Sequence, residues 1–335
     1  MVNWSNFKKL ILIALPIVLL STANQQKTHR KWGFFGHKRI NRIATFTLPP
    51  EMFGFYKEHI EYLTEHAVDP DKRRYAVEAE APRHYIDIDH YVHTGEDPFE
   101  VVPEKWNDAV AKFSEDTLQA YGIVPWHILV MKKKLQRAFE NKNVDLILKY
   151  SADIGHYIGD AHVPLHTTEN YNGQLTNQKG IHGLWESRLV EINAENYDYF
   201  IGKSEYVENL RPYIWERVRQ SHVAVDSVLG IERELTEEFD TDKKYSFERR
   251  GNVTVSVYSY EFSQEYHKRM NNMVERRLRA AIEAVGSIWY TAWVDAGQPD
   301  LNSLQNTPPS EELLEEMKAL DDQFAHGKHK GRICE

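Results

Sequence analysis

Apolar residues recur at three- and four-residue intervals along most of the chain, and this spacing predicts a helical protein. The clearest run is Asp145 to Ala161, where Leu146, Ile147, Tyr150, Ile154, Tyr157 and Ile158 share a face before Pro164 ends it. Similar patterns predict helices over residues 36–46, Met52 to His66, Pro103 to Tyr121 and Pro125 to Asn141, the last two opened by proline. A loop rich in Thr, Asn and Gly covers 167–180, and His182 to Ile192 resumes helix. Glu205 to Leu235 reads as two segments broken at Pro212, and Glu261 to Ala296 as one long amphipathic helix. Residues 71–103 read as a partly irregular connection and 236–252 as a charged loop. No run of strand alternation is convincing, and no segment repeats. The expected architecture is therefore all-α, a multi-helix bundle.

The first residues depart from this pattern. Lys8 and Lys9 precede an apolar run from Leu10 to Leu20, and Ser21-Thr22-Ala23 follows. That order predicts a signal peptide over 1–23 and export to the periplasm or medium, with an uncleaved anchor as the alternative. Residues 24–31 are then a possible propeptide, 32–300 the folded domain and 301–335 a loose, charged tail. The only cysteine is Cys334, which rules out an intrachain disulfide and cysteine-based zinc sites. The formal net charge of -9 argues against a surface that coats nucleic acid, though not against gripping one or two phosphates through metal ions.

Sixteen histidines change the picture further, because histidine is the commonest metal ligand. His156 and Asp160 stand four residues apart on the most apolar helix, which puts both on one face. His182 and Glu186 repeat that spacing, and His166 lies between the pairs. Either pair alone is a common accident of helical sequences; two pairs with an intervening histidine point to a multinuclear site.

These residues, with Trp32-Gly-Phe-Phe-Gly-His37, Asp69 in Val68-Asp-Pro-Asp71 and His84-Tyr-Ile-Asp87, resemble the zinc-dependent phospholipase C and single-strand-specific nuclease superfamily. The resemblance implies a trinuclear zinc cleft. One zinc ion would take Asp69, His84, His156 and Asp160; a second His166, His182 and Glu186; a third His37, Asp160 and the backbone of Trp32. Asp69 would also orient the attacking water, and Asp87 would steady a ligating histidine. The third site needs Trp32 as the mature N-terminus: either a second cut after Lys31 exposes it, or that site uses other ligands, or two zinc ions bind and not three. His90 and His162 match no ligand position, and Lys72-Arg73-Arg74 reads as a solvated loop or a phosphate contact.

The implied activity is phosphodiester hydrolysis through a metal-activated hydroxide. Glu186 and the short loop from His166 to His182 point to the phospholipase branch. The Trp32–His37 spacing and the fifteen residues between Asp69 and His84 point to the nucleases. The balance at this stage is a phospholipase C-like enzyme, with single-strand nuclease or nucleotidase as the alternative. A non-catalytic zinc-binding export protein is the reading from outside enzymology. The substrate would be a phospholipid or single-stranded nucleic acid, met through peripheral membrane contact or transient binding, with no stable nucleic-acid complex and no protein partner implied.

Overall fold

The computed structural model describes residues 34–250 and 253–330. The expected signal peptide, the possible propeptide and Trp32 lie outside the described residues. The chain opens with α1 (Phe34–Ala44), α2 (Pro50–Glu58), α3 (Ile60–Glu65) and α4 (Asp69–Arg73). A stretch of 3-10 turns, Glu78–His84 and Ile88–Tyr91, leads to α5 (Pro98–Val101), α6 (Trp106–Phe113) and α7 (Glu115–Tyr121). The central pair is α8 (Val124–Glu140) and α9 (Val144–Ala161), followed by α10 (Leu189–Asn193), α11 (Leu210–Val223) and α12 (Val225–Glu238). A hairpin of β1 (Tyr245–Arg250) and β2 (Val253–Tyr258) precedes α13 (Tyr260–Arg269), α14 (Met273–Asp295) and α15 (Glu311–His326).

The core forms around α9. Every residue from Ser151 to Ala161 is buried, so this helix has no solvent face along its second half. Helices α1, α8 and α14 pack around it. Polar groups of the core are satisfied across helices: Asn41 Nδ2 donates to the carbonyls of Leu63 (3.2 Å) and Ala152 (3.1 Å), and Trp289 Nε1 to that of Ser151 (3.1 Å). This is why the second half of α9 carries histidine and aspartate without unfolding: its polar side chains face other buried polar groups, not hydrocarbon. No helix among the described residues is long and apolar enough to cross a membrane.

The all-α expectation holds apart from one small hairpin. Several boundaries move for local reasons. The run Met52 to His66 is two helices, split at His59, and Pro103 to Tyr121 is two, split at Ser114, whose φ is 68°. Pro212 does not break its helix; it sits in the first turn of α11, where a missing N–H costs nothing, and the break falls at Ala224. The long helix expected from Glu261 is cut at Asn271 and Asn272, with φ of 48° and 57°. The stretch read as a loop at 236–252 holds the end of α12 and all of β1, which pairs antiparallel with β2 from Tyr245↔Tyr258 to Arg250↔Val253. The expected loose tail contains α15. Ser310 caps it, and Leu313, Met317 and Leu320 bury one side.

Candidate metal centre

Six parts of the fold converge on one buried cleft. Helix α1 brings His37, α4 brings Asp71, the 3-10 turn Glu78–His84 ends in His84, and α9 carries His156 and Asp160. His166 follows on the 3-10 turn Pro164–Thr167, and a π-helical turn, Gly183–Arg188, presents Glu186 with His182 just before it. Helix widenings of this kind recur at functional sites. Gly159 makes the approach of α1 possible: a Cβ there would lie 2.8 Å from His37 Nδ1.

Asp160 is the hub. Its Oδ2 lies 3.0 Å from His84 Nδ1 and 3.3 Å from His156 Nε2, while Oδ1 lies 3.4 Å from His37 Nε2 and 3.7 Å from His166 Nδ1. Asp71 Oδ1 closes the first group at 3.8 Å from His84 Nδ1 and 3.9 Å from His156 Nε2. Glu186 plays the same part on the other side, with Oε2 at 2.7 Å from His182 Nε2 and 3.4 Å from His166 Nε2, and Oε1 at 3.5 Å from His37 Nε2. Donor atoms thus form overlapping groups: His84, His156 and Asp160; His37, Asp71 and His156; His166, His182 and Glu186; His37, Asp160 and Glu186.

This geometry fits zinc. Ligand atoms about 2.0–2.1 Å from a tetrahedral zinc ion stand about 3.4 Å from one another, and most of the contacts above fall around that value. The rings are also set in the right tautomer. Nδ1–H of His156 donates to Ala67 O (2.9 Å), that of His166 to His84 O (2.6 Å) and that of His182 to Tyr171 O (3.0 Å). Each therefore presents an unprotonated Nε2 inward, as a metal ligand must. Electrostatics agree. Burial opposes ionisation of Asp160 and Glu186, yet the surrounding histidines hold both well below the usual carboxylate range. Burial also opposes charge on His37, but Asp160 and Glu186 outweigh it and raise its pKa to about 10. So much negative charge focused on one buried point invites a cation.

Asp69 does not join this group. Its carboxylate accepts from His66 Nδ1 (2.7 Å) and Lys72 Nζ (2.8 Å), while Asp71 is the carboxylate of this segment that lies beside His84 and His156. Both carboxylates lie on α4, where a two-residue step turns the side chain about 200° around the axis, so only one of them reaches the cleft. Asp87 is buried, and its backbone N–H donates to Tyr121 O (2.7 Å). His162 is also buried, with Nδ1–H on Ile158 O (2.7 Å), and His90 stacks on Tyr121. The basic run after Asp69 is neither a solvated loop nor an open phosphate contact. Lys72 is shared between Asp69 and Asp321 (2.7 Å), Arg73 is drawn into a buried ionic group, and Arg74 is buried.

The family model for S1/P1 nuclease matches residues 32–282, a span that contains every ligand group above. The chain belongs to the S1/P1 nuclease family. It is accordingly a zinc-dependent phosphodiesterase, and the clustered histidines and carboxylates are positioned to bind the metal. A comparison with curated protein sequences gives no significant match. The S1/P1 match ends inside α14, so α15 lies beyond it.

Two features of the centre escaped sequence reasoning. Asp71 was visible in Val68-Asp-Pro-Asp71, but nothing in the spacing says which carboxylate turns inward. The other is a buried group of Arg73, Glu80, Arg83, Asp153 and Tyr157 behind His84 and His156. Its members are spread over three elements and carry no common spacing. The one available signal was Asp153, a carboxylate in the middle of the most apolar helix.

Proposed function

We propose that this protein is an exported nuclease that hydrolyses phosphodiester bonds of single-stranded nucleic acid, not a phospholipase. The observation that carries this reading is the S1/P1 nuclease match across the whole ligand set. It outweighs the features that pointed to the lipid branch, namely Glu186 and the loop from His166 to His182, because these concern one ligand and one connection.

On this reading Asp71, His84, His156 and Asp160 hold one zinc ion, and His166, His182 and Glu186 a second. His37 and Asp160 hold the third, with the backbone of Trp32. Bound zinc supplies an acidified water and positive charge for the phosphoryl oxygens and the leaving oxygen. The chain's own residues fix the geometry: Asp160 joins the groups, and the carbonyls of Ala67, His84 and Tyr171 hold three rings in register. The burial of these groups keeps bulk water from screening them.

The test is a parallel assay of zinc-loaded protein on single-stranded DNA, RNA, duplex DNA and phosphatidylcholine. Turnover of single strands ahead of duplex, with little lipid cleavage, is expected. Cleavage of phosphatidylcholine alone overturns the reading. Export and trimming are tested together by N-terminal sequencing of the active secreted protein, which is expected to begin at Trp32. Fully metallated, active protein beginning at Asn24 would rule out that processing step.

A further inference from the structure

His84 differs from three of the other histidines of the centre in what stands behind it. His156, His166 and His182 each back onto a main-chain carbonyl. His84 instead turns Nδ1 towards Asp160 and His156 and leaves Nε2 buried, without a hydrogen bond, 3.8 Å from Glu80 Oε1.

Glu80 is completely buried, and its carboxylate is firmly held. Tyr157 donates its hydroxyl to Oε1. Arg83 Nη1 reaches Oε2 at 2.6 Å, and Arg73 Nε reaches it at 3.5 Å. Arg73 also binds Asp153 at 3.0 Å and the Tyr157 hydroxyl at 3.3 Å. Two guanidinium groups therefore face two carboxylates, and the group balances its own charge without His84. A carboxylate offers about four acceptor positions. Oε2 has both arginines, whereas Oε1 has only Tyr157 and keeps a free lone pair on the side of His84.

We infer that Glu80 is a positioning residue for the metal centre: it takes the Nε2–H of His84, so that the Nδ1 lone pair is the one presented to zinc, and Tyr157 holds Glu80 in place. This makes His84 the member of a carboxylate–histidine–metal relay, an arrangement that fixes ring orientation and raises ligand basicity. The inference rests on the zinc-site reading above. A purely structural Glu80, serving only to neutralise Arg73 and Arg83, has no reason to affect His84.

The experiment titrates zinc into full-length Glu80→Gln and Tyr157→Phe proteins. Ring-nitrogen NMR shifts of His84 report the site and its tautomer, and a competing chelator reports affinity. Zinc-loaded wild type is expected to carry its His84 proton on Nε2. Glu80→Gln is expected to weaken zinc at this site by roughly ten- to a hundredfold and Tyr157→Phe by less, with the His166 and His182 shifts unchanged. Zinc affinity within twofold of wild type and unaltered His84 shifts in Glu80→Gln overturn the inference. If Glu80→Gln fails to fold, Tyr157→Phe, which keeps both arginine–glutamate pairs, decides by the same criterion. Failure of the wild type to bind zinc through His84 at all refutes the underlying site reading instead, which separates the two.

Discussion

Asp69 and Asp71 sit two residues apart on α4 and serve different partners, Asp69 binding His66 and Lys72 while Asp71 faces His84 and His156. Their substitutions are therefore expected to part company. Asp71→Asn should lower zinc retention and cut hydrolysis by at least about a hundredfold, as loss of a direct ligand exceeds the usual effect of an outer partner. Asp69→Asn should keep its zinc and most of its activity, and lose stability because Lys72 keeps only Asp321. Metal analysis and melting curves of the two variants check this; zinc loss in Asp69→Asn with full loading in Asp71→Asn would reverse the assignment.

Asp160 reaches four histidines from its two oxygens, so Asp160→Asn is expected to disturb more than one metal position. Activity should fall roughly a thousandfold, since metal ions contribute several kcal/mol to the transition state. Mass spectrometry under native conditions should show at least one zinc ion fewer than in the wild type. A fully loaded Asp160→Asn protein would contradict this.

His127 gives a pH prediction away from the metal. Burial lowers its pKa from 6.5 to about 3, with Arg83 adding to the effect. The folded state thus favours the neutral ring. Its share of stability is fully present above pH 6.5 and is lost as the pH falls towards 3, because the unfolded chain binds the proton first. His127→Phe, which removes that proton, is expected to flatten acid unfolding across this window by on the order of a few kcal/mol at most. Acid titrations of both proteins followed by circular dichroism provide the check, and identical curves would show that the ring does not titrate this way.

Helix α15 lies outside the S1/P1 match and presses on the segment that carries Asp71. Lys72 binds Asp321, Phe324 packs on Tyr75 with ring centroids 5.0 Å apart, and Lys330 N–H donates to Arg74 O at 2.9 Å. Truncation before Ser310 is expected to raise hydrogen exchange across residues 69–76 and weaken zinc at the Asp71 group by about tenfold, the lower end for lost support of a ligand. The His166–His182–Glu186 group should be unaffected. Unchanged exchange in 69–76 would show that the helix is only an appendage.

The sequence made the site more legible than the fold around it. His156, Asp160, His166, His182 and Glu186 lie together in the cleft through short local spacings, and His37 and His84, named through the family resemblance, join them there. Helical phase, not spacing, decides which of Asp69 and Asp71 turns towards His84 and His156, so the sequence could not report it. The hairpin was legible in part: β2 alternates Val253, Val255 and Val257 with Thr254 and Ser256, but the run is six residues long and its partner β1 is charged at Glu248, Arg249 and Arg250. The break in the long helix at Asn271 and Asn272 needed a left-handed backbone that a hydrophobic periodicity cannot report. Helix α15 was hidden by its many charges and the two prolines before it, although Leu313, Met317 and Leu320 mark its buried side.

The contact between Phe34 and Phe324, with ring centroids 5.9 Å apart, sets an order of events. Phe34 opens the helix that carries His37, and Phe324 belongs to the last helix of the described chain. The wall beside α4 is thus completed only when residues as distant in sequence as Phe324 have folded back. The chain can assemble α8 and α9 early from local contacts, whereas the packing of α15 beside α4 joins residues far apart in sequence. Support for the segment that carries Asp71 is therefore a long-range contact, made after the local helix pairs.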